Sequence, residues 1–80
     1  MRYRDGQEIS VGDVVAIGTK YQGTVVGCIE SRSYAPPHTP AQWDYLATGI
    51  LVDTDFGGIV HYPDAGSIES EGIVLVRRSK

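Results

Sequence analysis

Two aspartates and a histidine carry the side chains in this sequence that are best suited to catalysis or metal binding. Asp53 and Asp55 are two positions apart, and His61 follows them in the next segment. Residues two apart in a β-strand point to the same face of the sheet, so the two carboxylates would lie side by side. Together with an imidazole they could act as general acid and base, or bind a hard cation.

A structural role for the same three residues is the alternative. Asp55 would cap a turn, Asp53 would face water, and His61 would be partly buried and hydrogen-bonded. The calcium pattern Asp-x-Asp-x-Asp-Gly, the Gly-x-Ser-x-Gly elbow and a glycine-rich phosphate loop are all absent from the sequence. The tripeptide Asp-Phe-Gly at 55–57 matches the magnesium-binding motif of protein kinases, but no other kinase motif accompanies it. We therefore predict that the protein is not an enzyme and uses no cofactor or metal.

A long stretch with prolines and aromatic residues indicates protein recognition instead. It covers residues 30–48 and contains Tyr34, Trp43 and Tyr45. Loops of this length are usually functional or disordered, and the aromatic residues argue against disorder. Tyrosine and tryptophan are typical anchors of protein interfaces. Tyr34 and Tyr45 are thus predicted to contact a partner, whereas Trp43 either does the same or plugs one end of the fold.

The elements that position these residues are short β-strands. Residues 49–62 form the clearest pattern, a β-hairpin whose two apolar arms flank a turn at Asp-Phe-Gly-Gly. Apolar runs at 14–17, 21–29 and 73–76 predict three more strands, and Gly23 and Gly27 predict bulges or bends in the second of them. Five short strands predict an all-β fold, a small antiparallel barrel with the 30–48 loop between strands 2 and 3.

Length and composition limit the remaining possibilities. Eighty residues predict a single domain over 1–80. Cys28 is the only cysteine, which excludes an internal disulfide, and its apolar surroundings predict a buried, unreactive thiol. No apolar run follows the arginines near the N-terminus, so we predict no signal peptide, no membrane association and a cytoplasmic location.

The distribution of charge is more informative than the net charge of −3. All seven basic residues lie towards the two ends of the chain: Arg2, Arg4, Lys20, Arg32, Arg77, Arg78 and Lys80. Residues 33–76 contain six acids and no lysine or arginine: Asp44, Asp53, Asp55, Asp64, Glu69 and Glu71. A nucleic-acid binder needs a basic stripe, which this middle region lacks. The acids either keep the surface solvated or bind a basic partner.

The pattern Val-Gly-Asp-Val-Val-Ala-Ile at 11–17, followed by Gln-Gly-Thr-Val-Val-Gly at 22–27, resembles the opening of SH3-like small barrels of the KOW and Tudor type. That resemblance implies a Gly-Asp turn before strand 1 and a curled strand 2. Barrels of this kind bind RNA, peptides, methylated lysines or other proteins. The chain departs from their RNA-binding members because its middle strands carry no basic residues.

The whole chain is similar to a group of small bacterial proteins. The shared pattern is Asp-Gly at 5–6, Gly-Asp-x-Val at 12–15, Trp-x-Tyr-Leu at 43–46, Thr-Asp-x-Gly-Gly at 54–58 and His-Tyr at 61–62. Small acidic proteins of this sort are often immunity proteins, which neutralise a secreted toxin. By that analogy the protein is a binding module whose acidic surface occludes the basic cleft of a cognate toxin. The predicted partner-binding residues are Tyr34, Trp43, Asp44, Tyr45, Asp53, Asp55 and His61.

A nucleic-acid-associated barrel of the KOW type is the alternative function. It would use Arg2, Arg4, Arg77 and Arg78, which would cluster if the first and last strands pair.

Overall fold

The computed structural model describes residues 2–35 and 40–78. Six strands and two short helices are present in these ranges. The strands are β1 (Val14–Ile17), β2 (Tyr21–Cys28), β3 (Ser33–Tyr34), β4 (Ile50–Thr54), β5 (Gly58–Tyr62) and β6 (Ile73–Arg77). The helices are α1 (Pro40–Trp43), which continues as a 3-10 turn over Asp44–Leu46, and α2 (Ala65–Ser70). The prediction of an all-β fold is confirmed, and all five predicted strands are found.

The strands form one antiparallel sheet in the order β5-β4-β2-β1-β6, with β3 paired to β2 beside this path. β1 pairs with β6, as expected if the ends of the chain meet. β5 and β6 are the two ends of this order and are not paired with each other in the described part of the chain. The sheet is therefore open, and the predicted closure into a barrel is not confirmed. α2 contacts both β5 and β6 and inserts Ile68 into the core.

The main core covers the inner face of the sheet. Alternate residues of the strands point inward, as the two-residue period of a β-strand requires. Each fully buried aliphatic side chain contributes about 1.5–3 kcal/mol to the free energy of unfolding. The buried residues of this cluster are Tyr3, Ile9, Val15, Ile17, Val25, Ile50, Val52, Tyr62, Ile68 and Ile73.

A second, smaller apolar layer covers part of the outer face. Its centre is Leu51 on β4, which is fully buried although its neighbours Ile50 and Val52 point inward. A shift of register between Val25 and Gly27 in the β2–β4 pairing accompanies Val26, which joins the outer layer directly after the inward-pointing Val25. The described parts of the long loop supply most of the remaining partners, so these parts pack onto the sheet. This outer layer comprises Val26, Ile29, Leu51, Tyr34, Ala35, Trp43, Leu46 and Ile59.

A buried carboxylate joins the two ends of the chain. Asp13 is 1% exposed, and its Oδ2 accepts hydrogen bonds from the Tyr3 hydroxyl at 2.6 Å, the Ser10 backbone N–H at 2.9 Å and the Arg78 Nη1 at 2.8 Å. Burial, followed by the hydrogen bond to Asp13, holds the pKa of the Tyr3 phenol well above its ordinary value. Arg78 also donates to the Glu8 carbonyl at 2.8 Å. The Asp13 cluster therefore fixes the N-terminal segment against the end of β6.

Candidate functional site

The two aspartates of the hairpin have different surroundings. Asp53 is an exposed residue of β4 whose strand partners are Thr24 on β2 and Ile59 on β5. Asp55 lies in the turn, where its backbone N–H donates to the Gln22 carbonyl at 3.1 Å and its Oδ2 accepts from the Gln22 N–H at 3.3 Å. Asp55 thus fastens the turn to β2, whereas Asp53 faces water. The arrangement matches the structural alternative for this pair.

His61 is held by the end of the long loop. Its Nε2 lies 2.8 Å from the carbonyl oxygen of Thr48, so that nitrogen carries the proton and donates it. His61 pairs across the hairpin with Leu51, two steps along the ladder from the pair that contains Asp53. His61 is half-buried and bonded to a backbone carbonyl, which matches the structural alternative for this residue. In the described ranges, no group of three histidine, cysteine or acidic side chains is arranged to hold a metal ion.

The aromatic residues of the loop separate into packed and exposed side chains. Trp43 and Tyr34 are partly buried in the outer layer, which favours the packing role for Trp43. Tyr45 is 77% exposed, although its neighbour Leu46 packs into the same layer. The 3-10 turn therefore presents the Tyr45 ring from a fixed base. The Asp44 side chain lies outside what the structure describes.

Sequence reasoning missed an aromatic pair at the turn of the hairpin. The rings of Tyr21 and Phe56 have centroids 4.8 Å apart and are tilted by 57°, and each side chain is 46% exposed. Such tilted pairs add about 0.5–1.5 kcal/mol beyond their buried area. Alternating apolar residues flanking a turn are a signal for the hairpin, but the pairing of Tyr21 with Phe56 depends on the β2–β4 register and carries no local signal.

A groove beside β5 was also missed. It has a volume of about 440 Å³, within the range of small-ligand sites, and it runs between β5 and α2. Three of its seven lining residues come from the polar stretch after the hairpin, for which the sequence predicted no regular element. The lining residues are Phe56, Val60, His61, Tyr62, Ser67, Ser70 and Glu71.

The arginines of the alternative function are partly engaged within the protein. Arg78 binds Asp13, and Arg2 donates from Nη1 to the Gly6 carbonyl at 2.8 Å. Arg77 is exposed at the end of β6, where it pairs with Val14 of β1. The pairing of β1 with β6 does bring residues from both ends of the chain together, but the guanidinium of Arg78 is committed to a buried carboxylate.

We expect Cys28 to be poorly reactive. Burial raises the pKa of its thiol from 9.0 to about 11, and the thiol lies 3.6 Å from the Ile9 carbonyl oxygen. Because the thiolate is the nucleophile, the raised pKa lowers the reactive fraction of the thiol near pH 8. Alkylation by iodoacetamide at that pH, followed by mass spectrometry, should therefore be at least about tenfold slower in the folded protein than in a denaturing concentration of guanidinium chloride. Cys28 is partly buried, and similar rates in both conditions would contradict its protection by the fold.

No helix in the described part of the chain is long and apolar enough to cross a membrane. Comparison with known proteins found no matching family model, no matching curated protein and no matching solved structure.

Proposed function

We propose that this chain is a non-enzymatic, cytoplasmic protein-binding module of the SH3-like type, and that it neutralises a bacterial toxin by covering the toxin's basic active cleft. The observation that carries the proposal is the distribution of charge over the sheet. Residues 33–76, which contain no lysine or arginine, include both strands at one end of the sheet, β4 and β5, together with α2. In this proposal, the side of the sheet formed by β4, β5 and α2 is the acidic side that meets the toxin.

The docking surface in this proposal combines one exposed ring with exposed carboxylates. Tyr45 supplies the aromatic anchor, since it is 77% exposed on a base packed through Leu46. Asp53 faces water in the β4–β5 hairpin and supplies negative charge for lysine or arginine groups of the partner. Carboxylates at such a surface speed association and select basic partners, while the ring supplies contact area. Trp43 and Tyr34 contribute by packing beneath this surface.

The proposal is tested by capturing the partner and measuring its affinity for variants. The tagged protein, used as bait in a native lysate, should retain one stoichiometric basic protein that is released at high salt. For that purified partner, Tyr45→Ala should weaken binding by about 10- to 30-fold and Asp53→Lys by about tenfold at low salt. Glu8→Lys makes the same charge change at the N-terminal segment and should leave the affinity within about twofold. Unchanged affinity in both test variants would remove the proposed surface.

The nucleic-acid alternative is favoured by one observation, the pairing of β1 with β6 that gathers both ends of the chain. Arg77→Glu separates the two functions, because Arg77 is exposed and, unlike Arg78, is not bound to Asp13. Loss of a nuclease-sensitive complex in this variant would support the alternative. Full retention of the protein partner in the same variant would support toxin neutralisation.

A further inference from the structure

The backbone of β5 has one side that no strand occupies in the described part of the chain, because β5 ends the sheet order. The direction of its backbone groups follows from two bonds at the ends of β4. The Asp55 N–H and the Gly49 carbonyl both form hydrogen bonds on the β2 side of β4. The backbone N–H and C=O groups of odd-numbered residues in β4 therefore point to β2, and those of even-numbered residues point to β5. Val52 pairs with Val60 in that register. The N–H and C=O groups of Ile59 and His61 therefore point away from the sheet.

The groove beside β5 lies at this unoccupied edge. Three consecutive residues, Val60, His61 and Tyr62, line it. Consecutive side chains of a strand point to opposite faces of the sheet, so a cavity that touches all three must lie alongside the strand. Since β4 occupies one side of β5, the groove occupies the other. Phe56, which precedes the strand, also lines the groove.

The far wall of the groove is acidic. It is formed by residues of α2 and the residue that caps it, Ser67, Ser70 and Glu71. The carboxylate of Glu71 lies near enough to Tyr62 to raise the pKa of that phenol, an effect second to burial. No lysine or arginine occurs between residues 33 and 76, so no basic residue of these elements offsets the carboxylate. A cationic ligand would find its counter-charge at this wall.

We propose that the groove binds an extended, basic segment of a protein partner, which adds to the sheet as a strand beside β5. Backbone groups of Ile59 and His61 bond to the segment, Phe56 and Val60 contact its apolar side chains, and Glu71 pairs with a lysine or arginine. Strand addition is an established mode of peptide recognition in which the main chain supplies affinity and the side chains supply specificity. The inference rests on the proposed protein-binding function and specifies the kind of segment that is bound.

The charge of the groove favours this occupant over a second copy of the chain. If the β5 strands of two copies paired, the Glu71 carboxylates of both copies would lie at the same interface. Like charges that face each other are unfavourable. The opposite end of the sheet is less suited to strand addition. β6 shifts register between the pairs formed by Val14 and Val15, and such a bulge twists an edge away from regular pairing.

The test uses a fluorescent eight-residue peptide of alternating lysine and valine, blocked at both ends, and fluorescence anisotropy at low salt. We expect saturable binding below about 1 mM, and loss of at least about tenfold in affinity when alternate peptide nitrogens are methylated. In the NMR spectrum of the labelled protein, the amides of Ile59 and His61 should show the largest shifts. An otherwise identical peptide of glutamate and valine should not bind.

A matched pair of variants on one helix tests the acidic wall. Glu71→Lys should lower the affinity at least about fivefold, whereas Glu69→Lys, which changes a residue outside the groove lining, should alter it less than about twofold. Both changes place a cation near the C-terminus of α2, where the helix dipole tolerates it, so neither should unfold the protein. No binding, or equal binding of the N-methylated peptide, would overturn the inference. Loss of a captured partner on Tyr45→Ala would still support the proposed function in that case, so the two failures are distinguishable.

Discussion

Replacing Asp13 with alanine is expected to lower the free energy of unfolding by about 3–5 kcal/mol. The substitution removes the acceptor of three hydrogen bonds, from the Tyr3 hydroxyl, the Ser10 N–H and the Arg78 guanidinium. The Tyr3 side chain is 4% exposed, so its hydroxyl would be left without an acceptor in the core. Leaving a buried donor unsatisfied costs more than the net strength of the bond that it made.

This loss is large for a protein of this size. At about 0.05–0.15 kcal/mol per residue, an 80-residue domain has a total stability of roughly 4–12 kcal/mol. Urea unfolding followed by circular dichroism measures the effect. Asp13→Asn keeps the size of the side chain and one acceptor, so it should cost about 2 kcal/mol and remain measurable if the alanine variant does not fold. The exposed Asp53→Asn is the control and should change stability by less than about 0.5 kcal/mol. Equal stability of the Asp13 and Asp53 variants would refute the role of the cluster.

The second large effect is expected at Gly49, where alanine should cost about 2–4 kcal/mol. Gly49 has a φ of +104°, a region that residues with a side chain rarely adopt. A Cβ at this position would collide with the Tyr62 carbonyl oxygen and lie 2.7 Å from the Cα of Pro63, both parts of the backbone that cannot easily move. It would also lie 3.0 Å from the Nε2 of His61, which bonds to Thr48.

The control for this substitution is Gly57→Ala in the turn of the same hairpin. A Cβ there would meet nothing within 4 Å, and the φ of Gly57 is not positive. Its stability should stay within about 0.5 kcal/mol of the parent, with a small gain from reduced freedom of the unfolded chain. Thermal unfolding of the two variants side by side gives the comparison. A Gly49 variant as stable as the Gly57 variant would show that the hairpin adjusts without strain.

The hairpin was predictable because its signals are local. Apolar arms and a Gly-Gly turn lie within fourteen residues, and the structure has β4 and β5 where the sequence puts them. The strands at 14–17 and 73–76 were found for the same reason. α2 was not predicted, because its six residues include Gly66 and two serines, which are weak helix formers. Its start depends on the Asp64 carboxylate, which accepts from the Ser67 N–H at 2.8 Å.

The candidate site was less predictable because it depends on distant contacts. The sequence placed Asp13 in the turn before β1. Its role in the core becomes clear only from the pairing of β1 with β6, which brings Arg78 beside it. Tyr34 and Tyr45 have the same residue type and lie in the same loop, yet one packs on Leu51 and its neighbours while the other is exposed. The groove beside β5 joins residues from a strand and a helix whose relative position the sequence does not specify.

The bond between Asp13 and Arg78 has a consequence for the order in which the protein folds. The two residues are separated by 65 positions, and β1 can acquire its β6 neighbour only after residues 73–77 have been synthesised. Contacts of such long sequence separation form slowly because the intervening chain must be ordered first. During synthesis the β4–β5 hairpin can form early, while Val15 and Ile17 stay partly uncovered. Completion of the inner core is therefore a late, cooperative step, and a ribosome-bound chain that stops before β6 would expose that core to chaperones and proteases.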